Sequence, residues 1–245
     1  MSRTGLVAAL RAEGASLGLR RPRPDGLFEL AGGDLLAVTG MGATAAARGA
    51  RQLVAAGCTR LVSFGMAGGL DPQLAAGTVV LPARVRDEAG RVFECGAEWR
   101  RALATRLAAG PAGRGAAAAA LVLAGDVSLL SVAAPLATIA GKAMAFARGN
   151  AAVDMESFAV AEVATAAGVP VLVVRVITDT ASDALPSIVG AALDARGEAN
   201  LPRLLAGLLR HPGQLPALLS LARRYSVALK ALRGVAGRGL TAARL

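Results

Sequence analysis

One apolar run, residues 170–177 with the sequence PVLVVRVI, constrains the fold of this chain more than any other feature. Hydrophobic side chains at nearly every position, rather than at alternate ones, are typical of a strand buried on both faces of a parallel sheet. A strand candidate at 151–153 and a helix candidate at 157–167, which stops near Gly168, come directly before it. This order predicts a strand–helix–strand unit of an α/β fold.

The same alternation extends through the first two hundred residues. Further strands are expected at residues 5–10, 35–39, 60–64, 78–81 and 119–124, and further helices at 44–56, 98–108 and 133–147. We therefore expect a single α/β catalytic domain over residues 1–200, with a central mixed, twisted sheet that helices flank. A chain of 245 residues is long enough to give such a domain a sizeable core.

A shortage of histidine and cysteine narrows the chemistry of this chain. Its single histidine, His211, is followed by Pro212 in a basic segment, and its two cysteines, Cys58 and Cys95, form no CxxC pair. A histidine-based triad, a histidine-rich metal site and a disulfide are therefore not expected. Acid–base chemistry must depend on carboxylates, and we expect neither a metal nor an organic cofactor.

Two carboxylates stand where strands of the parallel unit are predicted to end. Glu156 follows the 151–153 strand in the motif VDMES, and Asp179 follows the apolar run in the motif ITD. Open α/β sheets bind ligands at the carboxyl ends of their strands, so both residues are candidates for a site. The alternative for Asp179 is a helix N-cap, a role that Thr178 and Thr180 could also fill.

Two glycine-rich segments accompany these acidic motifs, namely VTGMG at residues 38–42 and SFGMAGGLDP at 63–72. With VDMES (153–157) and RVITDTASD (175–183), they resemble the motifs of the nucleoside phosphorylase/nucleosidase superfamily, in the expected order. The resemblance covers about residues 4–186 and implies that family's phosphorylase/hydrolase-like fold. Within the superfamily, the chain is most similar to the hopanoid-associated adenosylhopane nucleosidase/phosphorylase group, and next to methylthioadenosine/adenosylhomocysteine nucleosidases.

The resemblance assigns roles to three carboxylates. Asp179 would contact the purine and donate a proton near N7, because an anionic purine leaves poorly. Glu156 would accept hydrogen bonds from the ribose hydroxyls and support an oxocarbenium-like transition state, with Met155 packed against the ribose face. Glu13 occupies the place of the carboxylate that activates water, although a residue on a surface helix is the alternative.

Backbone and base contacts are implied in the same way. Residues expected to let the backbone approach water or phosphate closely are Gly40, Gly42, Gly65, Met66, Ala67 and Gly68. The segment GDVSL resembles the base-stacking segment, so Val127, Ser128 and Leu129 are expected to hold the base. Ser128 departs from the family pattern, because nucleosidases often carry an aromatic residue there.

Arg175, Met66 and Ser63 determine which charges and hydrogen-bond donors the sequence places near the site. A buried arginine needs a partner, so we hypothesise that Arg175, within the apolar run, orients Glu13 or Glu156; a purely structural ion pair is the equal alternative. Met66 replaces a serine or threonine that contacts phosphate or water in many family members, and Ser63 replaces an arginine of the phosphorylases. These departures favour hydrolysis, although inorganic phosphate bound by other arginines stays open as a co-substrate.

Positive charge is concentrated at the C-terminus. The net charge is +10, and residues 201–245 carry eight Lys or Arg with no acidic residue after Glu198. Leucines at helical spacing predict that this tail forms basic amphipathic helices, which bind membrane surfaces or acidic partners. The alternative is a first helix packed on the core and a solvated basic end. Nucleic acid is not an expected partner, because Tyr225 is the only aromatic residue of the tail.

The leading hypothesis is an N-glycosidase that releases adenine from a 5′-substituted adenosine, with a hopane suggested by the resemblance and the tail. Alternatives are a nucleoside phosphorylase, a nucleosidase for methylthioadenosine or adenosylhomocysteine, and a non-catalytic lipid- or nucleoside-binding protein. The sequence has no recognisable secretory signal or membrane span, so a cytoplasmic protein, peripheral at the inner face of the membrane, is expected. Family resemblance also implies a homo-oligomer, commonly a dimer.

Overall fold

The computed structural model describes residues 3–19, 21–109, 123–185, 213, 215–238 and 240. Its strands are β1 (Thr4–Ala8), β2 (Phe28–Glu29), β3 (Leu35–Val38), β4 (Arg60–Gly69), β5 (Val79–Leu81), β6 (Arg84–Asp87), β7 (Val92–Glu94), β8 (Leu123–Gly125), β9 (Ser128–Ser131), β10 (Ala152–Asp154) and β11 (Val171–Ile177). Its helices are α1 (Arg11–Ala15), α2 (Ala43–Ala55), α3 (Ala97–Ala108), α4 (Ile139–Ala147), α5 (Ser157–Ala166) and α6 (Leu215–Gly237).

These strands form one mixed, branched sheet, and β4 is its branch point. The first part of β4 pairs in parallel with β1 and β11, whereas Gly68 and Gly69 at its end pair antiparallel with β10. From β10 the sheet continues through β9 and β6 to β7, and from β11 it continues through β5 to β8. The expected α/β fold with a central mixed sheet and flanking helices is confirmed.

The apolar run that defined the fold forms the most buried strand. All seven residues of β11 are buried, and the strand lies between β4 and β5. Leu172, Val174 and Val176 face a cluster that includes α6, whereas Val173 and Ile177 face a cluster that includes Phe158 of α5. Each such side chain contributes roughly 1.5–3 kcal/mol when it is fully buried, which explains why so few positions are polar.

The described part of the basic tail is a helix that packs on the sheet. Helix α6 buries Ala228, Ala231, Leu232 and Val235, at the spacing of one helical face, against the same cluster as β11. The leucine-rich segment before it, at residues 201–209, lies outside the described residues, as does the boundary expected at residue 200.

Two predicted boundaries differ from the structure for local reasons. The helix expected at 133–147 begins only at Ile139, because Thr138 caps it by accepting a hydrogen bond from the Gly141 N–H group. Strand β4 runs five residues further than expected, because its glycines pair with β10. Within the described residues, no helix combines the length and the apolar character that a membrane span requires.

Candidate active site

A pocket of about 260 Å³ brings the three predicted carboxylates together. It lies where β1, β4, β10 and β11 end, and Glu13, Glu156 and Asp179 all line it. Met155 lines it beside Glu156, and Met66, Ala67 and Gly68 line it from the end of β4. The pocket therefore occupies the edge at which α/β sheets bind their ligands.

Glu13 is held in a fixed position by the backbone of two other segments. It lies on α1, directly after β1, and is 3% exposed, so the alternative of a surface-helix residue is wrong. Its Oε1 accepts a hydrogen bond from the Met66 N–H group at 2.8 Å, and its Oε2 accepts one from Leu10 at 2.9 Å. Burial raises the pKa of Glu13, against the opposing charge of Arg175 and these amides. A carboxyl with a raised pKa is a better general base than an exposed one.

Gly65 makes this arrangement sterically possible. A Cβ atom at this position would lie 2.5 Å from the Nη1 atom of Arg175 and 2.6 Å from the Oε1 atom of Glu13. Neither side chain has room to move away, because Arg175 is 1% exposed and Glu13 is almost as deeply buried. The absence of a side chain at Gly65 therefore leaves room for Arg175 and Glu13. The sequence had predicted a different role, a close approach of the backbone to water or phosphate.

Glu156 stands at the N-terminus of α5, next to the glycine-rich segment after β3. Its Oε1 accepts a hydrogen bond from the Gly42 N–H group at 2.8 Å, and its Oε2 lies 3.7 Å from the Arg175 guanidinium. Gly42 has a φ of 92°, a conformation that glycine adopts readily and that larger residues avoid. Burial raises the pKa of Glu156 to about 7, with Arg175 acting in the opposite direction. Gly40 lies two residues before this contact and is not among the lining residues of the pocket.

Asp179 follows β11 and is held from behind by a lysine. Its side chain is 12% exposed, and Oδ2 accepts a hydrogen bond from Lys142 Nζ of α4. Gly68 allows Asp179 to approach β4, because a Cβ atom there would lie only 3.1 Å from Oδ2. The N-cap alternative does not describe Asp179, since no helix begins within the described residues 180–185 that follow it.

Arg175 is paired mainly with Asp154, the last residue of β10. Its Nε atom donates to Asp154 Oδ2 at 2.7 Å, and a terminal nitrogen donates to Ser63 Oγ at 2.9 Å and Ser157 Oγ at 3.0 Å. Glu156 lies farther away, so the structural ion pair describes the main contact better than the hypothesis that Arg175 orients a site carboxylate. Ser63, at the place of the family's arginine, bonds to Arg175 and is 0% exposed.

The segment that was expected to hold the base, residues 127–129, lies in the sheet and against the core. Leu129 is fully buried in a core cluster against which Val127 packs, and Ser128 is 5% exposed within β9. Because β9 runs through the sheet, only residues beyond its carboxyl end reach the pocket. The lining residues from this segment are Val132, Pro135 and Leu136. Val127, Ser128 and Leu129 are therefore not among the residues that line this pocket.

Helix α6 supplies lining residues that the sequence did not assign to the site. Leu221 and Tyr225 line the pocket, and burial together with the neighbouring Glu13 charge raises the pKa of Tyr225. Arg224, between them, forms a 3.0 Å ion pair with Asp183. No feature of the sequence indicated that α6 packs against the pocket. The role of Lys142 had a recognisable sign in the sequence, because a lysine within an apolar helix is rarely buried without a partner.

Comparisons with known proteins bear on the fold and the family. No curated protein matches the sequence. Among solved structures, methylthioadenosine/adenosylhomocysteine nucleosidase from Neisseria meningitidis, in complex with methylthio-immucillin-A, has a TM-score of 0.69 at 17% identity, over 97% of this chain and 98% of that chain. Futalosine hydrolase of Helicobacter pylori has a TM-score of 0.64 at 18% identity, over 96% and 97%.

A third solved structure is similar over nearly its whole length. Methylthioadenosine/adenosylhomocysteine nucleosidase from Helicobacter pylori, with butyl-thio-DADMe-Immucillin-A, has a TM-score of 0.64 at 17% identity, over 96% of this chain and 97% of that chain. At such identities these likenesses establish the fold. The family model described as the phosphorylase superfamily matches residues 27–209, which is well over half of the 245 residues. This chain therefore belongs to the phosphorylase superfamily.

Proposed function

We propose that this protein hydrolyses the N-glycosidic bond of a 5′-substituted adenosine and releases adenine. The observation that carries the proposal is the convergence of Glu13, Glu156 and Asp179, from three distant parts of the chain, on one pocket. A purine departs as a neutral base only if a ring nitrogen gains a proton. The sugar that loses the purine develops positive charge. Carboxylates at three points of one pocket meet both needs and also supply a base for water.

Each carboxylate has a distinct part in the proposed reaction. Glu13 takes a proton from the water molecule that attacks C1′ of the ribose. The bond between C1′ and N9 breaks, its electron pair stays on the purine, and Asp179 supplies the proton that N7 takes up. Glu156 accepts hydrogen bonds from the ribose hydroxyls and stabilises the positive charge that builds on the sugar. Met155, beside it in the pocket, packs against the ribose face.

Water is a better nucleophile than phosphate for this pocket. Among the described residues that line it, none is a lysine or an arginine, and four are acidic. A phosphate dianion needs cationic or N–H donors and would be repelled by these carboxylates. The Met66 N–H group, at the place expected to contact phosphate, already donates to Glu13.

The apolar part of the pocket supports a lipidic 5′-substituent. Side chains that form this part are Leu10, Met41, Val132, Pro135, Leu136, Leu185 and Leu221. The exposed face of α6 carries Leu215, Leu219, Arg223 and Arg233, a combination that suits an anionic membrane surface, at ~1 kcal/mol per basic residue. We therefore propose a hopane as the substituent, presented by the inner face of the membrane, and a place for this protein in hopanoid biosynthesis.

A homodimer belongs to the same proposal. Helix α4 exposes Ile139, Met144 and Phe146 by 51%, 61% and 40%, and a second copy could cover Ile139 and Phe146, which share one face of the helix. Light scattering in solution tests this part. A monomer at micromolar concentration would contradict it.

The deciding experiment measures adenine release from adenosylhopane and from methylthioadenosine, each with and without phosphate. We expect faster release from adenosylhopane and no dependence on phosphate. Preference for methylthioadenosine would reassign the 5′-group, and a requirement for phosphate would make the protein a phosphorylase. Binding of both nucleosides with no release from either would overturn the proposal in favour of a non-catalytic protein.

A further inference from the structure

Lys142 is a fully buried lysine directly behind the proposed acid. It lies on α4 among apolar and small residues, and its side chain is 0% exposed. Nζ donates to the Asp179 carboxylate, to the Thr180 carbonyl at 2.8 Å and to the Asp183 carbonyl at 2.9 Å. An ammonium group has three donors, and all three are used by this one loop.

This contact sets a condition on Asp179. The Lys142 ammonium donates to Oδ2, so this oxygen is the acceptor of the contact and is not the one that offers a proton to a ligand. A carboxylate without a proton cannot protonate the N7 atom of a purine. Asp179 therefore needs a proton at the moment of bond cleavage, and Lys142 Nζ is hydrogen-bonded to it.

We propose that Lys142 supplies this proton, so that the leaving base is protonated by the Lys142–Asp179 pair and not by Asp179 alone. The inference rests on the N-glycosidic cleavage proposed above. Lys142 does not contact the substrate in this scheme and acts through Asp179, as a residue that positions the carboxylate and provides its proton. Lysine suits this task, because its ammonium releases a proton far more readily than a guanidinium does.

The protons balance over one turnover. As the bond between C1′ and N9 breaks, N7 gains one proton from the Asp179 carboxyl group, which gains one from Lys142 Nζ. Asp179 is thus a carboxylate before and after the step, and Lys142 is left neutral with a lone pair. Water loses one proton to Glu13 as it attacks C1′, and solvent returns the protonation of Glu13 and Lys142 to the resting state once the products have left.

Other ionisable groups around the pair have different tasks. The Asp183 carboxylate, whose backbone carbonyl contacts Lys142, is bonded to Thr180 and Arg224. Against its burial, these bonds and the Lys142 charge lower the pKa of Asp183, so it stays ionised and does not compete for the proton. Glu13 and Glu156, across the pocket, act on water and ribose.

The test compares two leaving groups on the same ribose. One substrate is the 5′-substituted adenosine that the wild-type protein cleaves best, and the other carries 4-nitrophenolate in place of adenine. 4-Nitrophenolate leaves without protonation, whereas adenine does not. The variants are Lys142→Met and Lys142→Arg, with Lys230→Met as the matched control, because Lys230 is an exposed lysine of α6.

We expect Lys142→Met to lower kcat for adenine release by about 10²- to 10⁴-fold, with a small change in KM. Release of 4-nitrophenolate should change less than tenfold, which also shows that the variant is folded. Lys142→Arg should lower adenine release in a similar way, because it keeps the charge and retains its proton. Lys230→Met should match the wild type with both substrates.

Three results overturn the inference. An equal loss with both substrates would mean that Lys142 only holds the loop, and full activity of Lys142→Arg would mean that charge alone is needed. If Lys142→Met does not fold, the wild-type pH profiles decide. A fall in rate at alkaline pH for adenine but not for 4-nitrophenolate supports the inference, and the same fall for both overturns it. Wild-type protein that cleaves neither substrate would instead sink the proposed function.

Discussion

Two buried ion pairs of the same kind lie beside the pocket of this molecule, and they differ in how far their aspartate is exposed to it. Arg175 and Lys142 are 1% and 0% exposed, and each donates to an aspartate at the end of a strand. Both aspartates are among the lining residues, but the Asp154 side chain is 1% exposed and is bonded on several sides, whereas that of Asp179 is 12% exposed. A closed pair can only stabilise the fold, and a pair with one open side can exchange protons with a ligand.

The sharpest test of this contrast is Asp179→Asn against Asp154→Asn. Removing a positioned acid costs about 10²- to 10⁴-fold in rate, so Asp179→Asn should lose most adenine release. Its melting temperature should fall less than that of Asp154→Asn, because the Thr180 and Asp183 carbonyls still accept hydrogen bonds from Lys142. Asp154→Asn should mainly lower the melting temperature. Steady-state kinetics and thermal unfolding measure both variants. A greater loss of adenine release in Asp154→Asn, with a greater loss of melting temperature in Asp179→Asn, would contradict the comparison.

Arg175→Met tests the closed pair from its other side. Breaking a buried pair leaves an uncompensated charge, so the free energy of unfolding should fall by about 3–5 kcal/mol, as measured by urea denaturation. Any protein that remains folded at low urea should retain part of its activity. A stable but inactive variant would show that Arg175 acts on Glu156 or Glu13, as the sequence first suggested.

Gly65→Ala is expected to disturb both the Arg175 ion pair and the site carboxylate Glu13. Its Cβ atom would meet both Arg175 and Glu13, and overpacking of a buried site costs about 1–3 kcal/mol. We expect lower stability together with lower kcat, because Glu13 must shift. Gly125→Ala is the control, since a Cβ atom there would make only an ordinary contact at 3.6 Å with Arg100. Unchanged stability and kcat in Gly65→Ala would contradict the packing described here.

The raised pKa of Glu156 predicts that stability and activity depend on pH in opposite directions. Because the pKa of Glu156 is raised from 4.5 to about 7, the folded protein holds a proton that the unfolded chain has already lost between these values. This contribution to stability is complete below pH 4.5 and is lost as the pH rises through about 7. Activity should follow the opposite course, since the ionised form binds ribose.

Measurement of kcat/KM from pH 5 to pH 8 checks this prediction, with Glu156→Gln as the comparison. We expect the wild-type value to rise up to about tenfold per pH unit on its acid side. A flat profile would indicate that Glu156 is ionised throughout this range.

The smallest effect on catalysis is expected on the exposed face of α6. Leu219→Asp and Arg223→Glu should weaken sedimentation with anionic lipid vesicles, because they remove apolar area and positive charge at the surface. Their turnover of soluble methylthioadenosine should match the wild type within about twofold, since neither residue lines the pocket. Vesicle binding that these changes leave intact would exclude this face as the membrane contact.

The family match confirms the superfamily that the sequence motifs indicated, and with it the expected class of enzyme, a nucleosidase or phosphorylase. Strand β11 begins one residue after its apolar run and ends with it. Glu156 and Asp179 followed from motifs at predicted strand ends, and Glu13 followed from the family resemblance. These features were predictable because burial on both faces and position after a strand are local properties of a sequence.

Features that depend on distant contacts were not predictable. The sequence left two hypotheses for Arg175, a contact with Glu13 or Glu156 and a purely structural ion pair, because charge alone does not decide between them. Tyr225 was considered only as the aromatic residue of the tail, because sequence gives no indication of which helix closes a pocket. The register of β9 decides which residues cross the sheet and which pass its end, and it places Leu129 in the core while Val132 lines the pocket.

The packing of α6 has an evolutionary consequence. This helix lies near the end of the chain, supplies Leu221 and Tyr225 to the pocket, and contains none of the three carboxylates. Substitutions at these two positions can therefore reshape what accompanies the adenosine without touching the groups proposed to break the bond. Related genes that exchange this terminal helix would acquire new substrates while they inherit an unchanged reaction.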